Sequence, residues 1–359
     1  MSKPRINNTV IDPQQENSRL VAAKNGHKDQ FSELAEPYRR ELQIHCYRIL
    51  GSLQEADDLV QETFLRAWRR LDTYQGRASF RAWLYKIATN ACLDVLDQRH
   101  TRRLLPMDIY PASDPKATID PPPSEIYWLE PFPDEWLVDQ TAINPEARYS
   151  LYESVSLAFL TALQTLPPRQ RAALILTDVL DWSAREVAEL LETSISSVNS
   201  ALHRARVTLA KHYHGHIQDN PAKVETNEQT QKLLNQYVEA WQTADIASLV
   251  ALLKKDAILT MPPSPSWYRG RNAIRIFAAK TVFADHGMFA GKAKDRWKLI
   301  PLHANAQPAF GIYQRAEAGD YHFAGIHVLT VKARQLTQIT CFMDPALSLH
   351  FGAPPTLKL

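Results

Sequence analysis

The chain has 359 residues, 45% of them hydrophobic and 22% charged, which are the proportions of a water-soluble globular protein with room for at least two cores. Lys plus Arg number 41 and Asp plus Glu 39, so a net charge of +2 announces no nucleic-acid binding by itself, and any basic surface must be local. No apolar stretch approaches the ~18 residues of a membrane span, and the N-terminal MSKPRINNTVIDPQQENSR has no signal-peptide core. Cys46, Cys92 and Cys341 lie far apart and form no C-x-x-C pair, which suits a reducing cytoplasm and excludes a disulfide framework.

Charge divides the chain more sharply than its total does. Residues 1–110 carry 17 basic and 14 acidic side chains; residues 111–150 carry 2 and 8, with eight prolines. Residues 151–216 carry six of each, and residues 217–359 carry 16 and 11. Proline fixes φ and removes a donor, so 106–150 reads as an extended, acidic, Pro-rich linker. Tyr127, Trp128, Leu129, Phe132 and Trp136 are out of place in a solvated tether and predict that this stretch docks. The expected division is an arm at 1–28, a helical domain at 29–105, the linker at 106–150, a second helical domain at 151–216 and a C-terminal domain at 229–352.

In the first domain Phe31, Leu34, Tyr38 and Leu42 recur at helical spacing, as do Leu59, Phe64, Leu65 and Trp68. Ser52 ahead of Glu55 offers a capping box for the helix that follows. A further helix starts at Ser79, with Phe80, Leu84, Ile87, Ala91 and Val95 as its buried stripe. Trp83, Lys86, Asn90 and Asp94 fall on the stripe beside it. The wording EADDLVQETFLRAWRRLDTYQGRASFRAWLYKIATNACLDVLDQR, residues 55–99, resembles region 2 of the sigma-70 family in its extracytoplasmic-function branch. That resemblance implies docking on the β′ clamp helices of core RNA polymerase through Asp58, Gln61, Glu62, Phe64 and Leu65. It further implies capture of unstacked promoter −10 bases by Tyr74, Arg77, Ser79, Phe80, Trp83, Lys86 and Asn90. The chemistry fits: aromatic faces and amides hold single-stranded bases, and Arg and Lys meet phosphates. Phe64 and Trp83 keep a second reading, as core aromatics.

Residues 151–213 read as four short helices. Leu157, Leu160 and Leu163 precede the break Leu166-Pro167-Pro168; RQRAALILTDVL follows, then WSAREVAELLETSISSVNSALHRARVTLAKHY. Ser183 with Glu186 is a capping box, Val187 and Leu190 form an inner face, and Glu192-Thr193 makes a tight turn. Ser194 caps a last helix whose buried stripe is Val198, Leu202, Ala205 and Leu209. Two helices joined by such a turn can lay the second in a major groove. The stretch from LPPRQRAALI to ALHRAR resembles region 4 of the same branch, which reads the −35 element and meets the polymerase β flap. The DNA-facing set would be Ser194, Ser196, Ser197, Asn199, Ser200, His203, Arg204 and Arg206. Asn199 and Ala201 stand where the family usually has Lys and Arg, which removes about two cationic contacts and lowers sequence-independent affinity.

The C-terminal domain opens with amphipathic helices around Leu233–Trp241 and Ile246–Leu253. Strand-like stretches follow: AILTM, WKLIPLHANAQ, PAFGIYQRA, YHFAGIHVLTVKA and LTQITCFMD. This is an α+β layout that resembles the SnoaL-like, nuclear-transport-factor-2-like cone, fused as a tail in some sigma factors. Lys332-Ala333-Arg334 stands where those fused proteins often have a Gly-Gly turn. A cone has a pocket at its open end, and Met261, Trp267, Tyr268, His303, Asn305, Tyr313, His327 and Phe342 are its candidate lining. Asp256 and Asp344 read as solvated turn carboxylates, and the alternating His212, His214 and His216 as a frayed helix end rather than a metal site. The whole reads as a multidomain protein, all-α regions 2 and 4 followed by an α+β cone. It is expected to be a cytoplasmic, nucleoid-associated sigma factor that binds core polymerase and promoter DNA. Neither a cofactor nor an enzymatic activity is expected. A small ligand in the tail, as sensor or enzyme, is the rival function.

Overall fold

The computed structural model describes residues 12–99, 102–123, 128–140, 151–212, 228–285, 288–289 and 291–358. The chain divides into two compact units, 1–103 with 136–215 and 104–135 with 216–359. His214, His216 and Tyr127 lie outside the described residues.

The first unit is helical. Its elements are α1 (Pro13–Lys24), α2 (Lys28–Ala35), α3 (Arg39–Leu50), α4 (Leu53–Arg69) and α5 (Phe80–Gln98), then α7 (Leu157–Gln164), α8 (Pro168–Leu174), α9 (Ala184–Leu190) and α10 (Ile195–His212); α6 (Pro106–Ile109) falls in the second unit. Local chemistry sets many starts. Ser52 accepts from the Glu55 amide, Ser79 from that of Ala82, and Ser156 from that of Phe159. Gly51 ends α3 at φ 76°, a left-handed C-cap that glycine adopts without a Cβ penalty. Helix α3 is buried from Leu42 to Leu50, with α4 and α5 on one side and α7 and α8 on the other. It is the axis of this unit.

Helix α4 has two apolar sides. Its covered stripe is Leu53, Ala56, Val60, Thr63 and Ala67, while Leu59, Phe64 and Trp68 are half-buried. Both sets obey helical spacing, and α3 covers the first. Leu65 is left 49% exposed.

The second unit begins with the Pro-rich segment whose apolar residues were expected to dock. Its described residues 104–123 and 128–135 belong to this unit, with Leu129 and Phe132 fully buried and Leu104 bridged to Trp128. Trp136 belongs to the first unit, under the Arg40 guanidinium at 4.1 Å. The sheet comprises β1 (Leu253–Thr260), β2 (Trp267–Arg269), β3 (Trp297–Ala304), β4 (Gln307–Arg315), β5 (Tyr321–Lys332), β6 (Gln335–Phe342) and the short β7 (Thr356–Leu357). Its order is β2-β1-β6-β5-β4-β3, with β7 on β5; β1 and β6 run parallel and all other pairs antiparallel. Register shifts at Ile312/Tyr313 and Thr330/Val331 bend the strands. Helices α11 (Glu228–Thr243), α12 (Ile246–Leu252) and α13 (Arg271–Lys280) close a core of Tyr237, Trp241, Ile274, Phe277, Trp297 and Leu329; a last short turn of helix is α14 (Leu347–His350). This is the helix-lined cone.

Two hairpins turn on two residues each. Asn305 and Ala306 have φ of 56° and 59°, and Ala333 and Arg334 have 48° and 64°. Positive φ at both central positions is the geometry whose twist matches flanking strands. At the β5–β6 turn, Ala333 and Arg334 therefore do with strained backbones what two glycines do freely.

Candidate nucleic-acid and polymerase interface

The outer face of α4 carries Asp58, Gln61 and Leu65 exposed to solvent, with Glu62 and Phe64 half-buried beside them. Arg66 holds Glu62 at 2.8 Å and reaches Asp94 of α5 at 3.4 Å. The Arg39 guanidinium lies over the Phe64 ring at 5.0 Å. The result is a shelf with an apolar centre and an acidic rim on a helix capped at its N-terminus by Ser52. Such a surface suits a basic helical partner.

Behind that shelf the aromatic residues divide by role. Phe80 is fully buried at the centre of a cluster, with Phe31 at 6.4 Å, Tyr38 at 6.0 Å, Tyr74 at 5.8 Å and Trp83 at 5.7 Å. Tyr74 is buried too; its hydroxyl donates to the Ala78 carbonyl at 2.8 Å, and burial raises its pKa. In this conformation both rings, expected as DNA contacts, are enclosed by the protein. They brace Trp83, which is half-exposed and 5.1 Å from the Tyr74 ring. Arg77 and Ser79 are exposed at the start of α5, and Lys86 and Asn90 are half-buried along it.

In the helix-turn-helix, Ser183 and Glu186 close the expected capping box on α9. Glu192 turns the chain at φ 52°, and the Ser194 hydroxyl accepts from the Ser197 amide at 3.1 Å to start α10. Val198, Leu202 and Ala205 are buried; Leu209 is only half-buried. Ser194, Ser196, Ser197, Asn199, Ser200, His203, Arg204 and Arg206 are all exposed, as a groove-reading face must be. Arg206 is engaged, however: it forks onto Asp178 at 2.6 and 3.0 Å, which raises its pKa. Arg204 is the exposed cation at the middle of that face.

The two helical parts meet inside the first unit through polar contacts. Arg171 of α8 is buried and gives its guanidinium to four oxygens: Ile49 carbonyl at 2.5 Å, Gln164 Oε1 at 2.6 Å, and the Gln164 and Leu166 carbonyls at 3.1 Å. Desolvation, then the nearby Arg102 and Arg99, lower its pKa to about 9. Arg48 of α3 donates to Ser154 Oγ at 2.7 Å, and burial lowers its pKa to about 10. Tyr85 rests on Trp182 at 5.3 Å. Lys86, one of the expected DNA contacts, is paired at 2.8 Å with Glu192 in the helix-turn-helix turn.

Residues 34–102 match the family model for sigma-70 region 2, and residues 156–209 match that for sigma-70 region 4. An ECF RNA polymerase sigma factor, SigG of Mycobacterium tuberculosis, is 42% identical over 332 residues, which is 91% of this chain and 85% of that protein. The chain belongs to the extracytoplasmic-function sigma factors. SigW of Bacillus subtilis, another of them, is 25% identical over 54% of this chain and 94% of its own length. The crystal structure of the extracytoplasmic function sigma factor SigJ of Mycobacterium tuberculosis has the same fold, with a TM-score of 0.53 over 90% of this chain and 99% of that one, at 21% identity. As a sigma factor the protein is a transcription initiation factor, and its family works on core RNA polymerase and promoter DNA. Among the described residues no helix is long and apolar enough to cross a membrane.

The C-terminal tail of this sigma factor holds a cavity of about 260 Å³. Of the eight residues expected to line it, only Met261 and His327 do. Trp267 gives its indole N–H to the Tyr110 carbonyl at 2.9 Å, and Tyr268 stacks on Phe277 at 4.4 Å. The Tyr313 hydroxyl donates to the Pro354 carbonyl at 3.0 Å, His303 is exposed, and Phe342 is buried away from the cavity. Asn305 has a different task. Its Oδ1 accepts from the Phe132 amide at 3.0 Å, and its own amide donates to the Phe132 carbonyl at 2.9 Å. Asp134 accepts from the Ala306 amide at 2.9 Å, and burial raises its pKa to about 7. Phe132 and Asp134 are thus clamped on the β3–β4 turn. The cavity lining that sequence reasoning missed is mainly Trp241, Leu249, Ile274, Phe277, Trp297 and Cys341. These read as ordinary core from periodicity, because a cavity inside a core has no pattern of its own.

Proposed function

We propose that this sigma factor brings core polymerase to −10/−35 promoters through the α4 shelf and the exposed face of α10, with its SnoaL-like tail as a regulator. Asp58, Gln61, Glu62, Phe64 and Leu65 dock on the β′ clamp helices; region 4 meets the β flap and the −35 duplex. Trp83, Lys86, Asn90, Arg77 and Ser79 hold the melted −10 strand. The observation that carries this reading is the 49% exposure of Leu65 on a helix whose other stripe is fully covered. An apolar group held out in water on a rigid helix is a docking residue rather than a packing one.

The experiment is transcription by core polymerase with this protein, with transcripts sequenced from genomic DNA. Leu65→Asp should lower core binding at least tenfold, since it puts a charge where an apolar contact forms. Trp83→Ala should leave core binding intact and slow promoter opening several-fold, because one aromatic stacking contact is worth ~1–3 kcal/mol. Unchanged core binding by Leu65→Asp, with the fold intact, refutes the docking assignment. For the tail, a sensor is favoured over an enzyme: the described cavity lining contains no Asp or Glu to act as acid or base. Work at the nucleoid follows from this reading and is tested by co-sedimentation with DNA.

A further inference from the structure

We infer that the cavity in the SnoaL-like tail is a binding site for an uncharged, flat, mostly apolar molecule of about two fused rings with one polar group, and that residues 110–122 are its lid. The inference rests on the proposed regulatory role of the tail only for its consequence in transcription; binding itself is measured separately.

Size and lining define the ligand's body. The cavity volume is about 260 Å³, and a cavity of about 150 Å³ is enough for benzene. Trp241, Phe277, Phe289 and Trp297 supply aromatic walls, and Leu249, Leu259 and Ile274 supply aliphatic ones. A charged ligand would be buried here without a counter-ion, since the described lining has no Lys, Arg, Asp or Glu.

One end of the cavity is polar. His327 is 2% exposed, and its Nδ1 is hydrogen-bonded to the Tyr237 hydroxyl at 2.8 Å. Burial holds the imidazole neutral by lowering its pKa to about 3, so the ring has one donor and one acceptor. The Trp241 ring lies 4.7 Å from that imidazole, and its buried indole N–H meets only the Tyr237 hydroxyl, too loosely for a full hydrogen bond. A buried donor left partly unmet costs stability, and a ligand oxygen would remove that cost. A neutral hydroxyl or carbonyl suits this end; a carboxylate does not.

The lid is the first half of the stretch that composition presents as a tether. Ile119 and Pro122 line the cavity. The backbone around them is held by the Asp120 amide donating to Ser266 Oγ at 3.2 Å and the Ser264 hydroxyl donating to the Asp120 carbonyl at 3.0 Å. The Ser113 amide donates to the Trp267 carbonyl at 2.8 Å, and the Trp267 amide donates to Ser113 Oγ at 3.2 Å. With the Trp267 indole on the Tyr110 carbonyl and Lys280 Nζ on the Lys116 carbonyl at 2.5 Å, six hydrogen bonds spread over 110–122 hold a segment that lends two apolar side chains to the cavity. Releasing that set of bonds together would open the cavity on this side.

The test uses the full chain and two probes with the same ring body, 2-naphthol and naphthalene-2-sulfonate, by isothermal titration calorimetry. Naphthol should bind with one-to-one stoichiometry and the sulfonate at least tenfold more weakly. Val282→Trp, at a half-buried cavity position, should weaken naphthol at least tenfold; Ala278→Phe is a second filling variant should the first misfold. His327→Phe should remove the preference for naphthol over naphthalene. Hydrogen exchange at 113–122 should slow when naphthol is bound. No naphthol binding, equal binding of the sulfonate, or binding untouched by a folded filling variant overturns the inference. Binding that passes these tests but leaves transcription unchanged upholds the site and overturns only the regulatory reading.

Discussion

The seam between regions 2 and 4 and the interior of the tail are built from opposite materials. The seam includes two buried arginines: Arg171 gives protons to the Ile49 carbonyl of region 2 and to three oxygens of its own region 4, and Arg48 gives one to Ser154, with no carboxylate among these partners. The tail is a continuous sheet closed over Trp, Tyr, Phe and Leu. An arginine-to-carbonyl seam can exchange its bonds for bonds to water or phosphate with small net loss, because each hydrogen bond is worth only ~1 kcal/mol net. An apolar interior has no such substitute: every Å² exposed costs roughly 25 cal/mol. On these terms the seam is the easier of the two to open. If Lys86 contacts DNA as proposed, opening the seam would also release it from its ion pair with Glu192.

The largest effect should come from breaking the cone. Gly325 sits at φ 154°, and a Cβ there would lie only 2.1 Å from the Phe342 carbonyl oxygen, so Gly325→Ala must push β5 and β6 apart. A loss of ~3 kcal/mol or more is expected in the tail, read by hydrogen exchange, with regions 2 and 4 unaffected.

Next is the seam. Arg171→Ala leaves four oxygens without their donor and a void between α3 and α8, and should cost ~2–4 kcal/mol in the first unit. Arg171→Met should cost less, because it fills the space without a buried charge. If Met is as damaging as Ala, the guanidinium bonds matter more than the comparison allows.

Acid should separate the two units. Burial lowers the pKa of both His45 and His327 to about 3, with Arg48 and Arg81 adding to the effect on His45. Each is neutral when folded and protonated when unfolded below the ordinary value of about 6.5, so its contribution is full above that pH and falls as pH drops toward 3. The slope is about 1.4 kcal/mol per pH unit for each proton. In the tail alone, Asp134, raised to about 7, works the other way: folding favours its protonated form, so its contribution grows as pH falls from 7 toward 4. Asp108, also raised by burial, acts in the same direction. Between pH 6.5 and 4 the first unit should therefore lose stability more steeply than the tail. Asp134→Asn should make the tail's profile steeper, measured by denaturant unfolding across that range.

The smallest effect concerns the ion pair. Glu192 is exposed, so Glu192→Gln should barely change stability. It should, however, free Lys86 and raise the salt dependence of promoter binding by about one counterion. An unchanged salt slope would mean that Lys86 does not reach DNA.

Much of this was legible in the residues themselves. Ser52, Ser79, Ser183 and Ser194 start helices through hydrogen bonds to amides two or three residues on, and that chemistry is complete within a few residues. The buried stripe of α10 and the four long strands of the tail were readable for the same reason: a period of 3.6 or 2 is a local property. Tertiary structure decided what lies beyond that range. Helix α4 carries two apolar stripes of equal spacing, and only the position of α3 covers Val60 and Ala67 and leaves Leu65 in water. Phe80 and Trp83 are written alike, yet one is enclosed by Phe31, Tyr38 and Tyr74 while the other stands at the edge. Aromatic residues in the Pro-rich 106–150 showed that it docks but not where; Asn305 and Ala306, more than 170 residues away, meet the Phe132 backbone and the Asp134 carboxyl. Burial is a relation between distant segments, and no single window of sequence contains both.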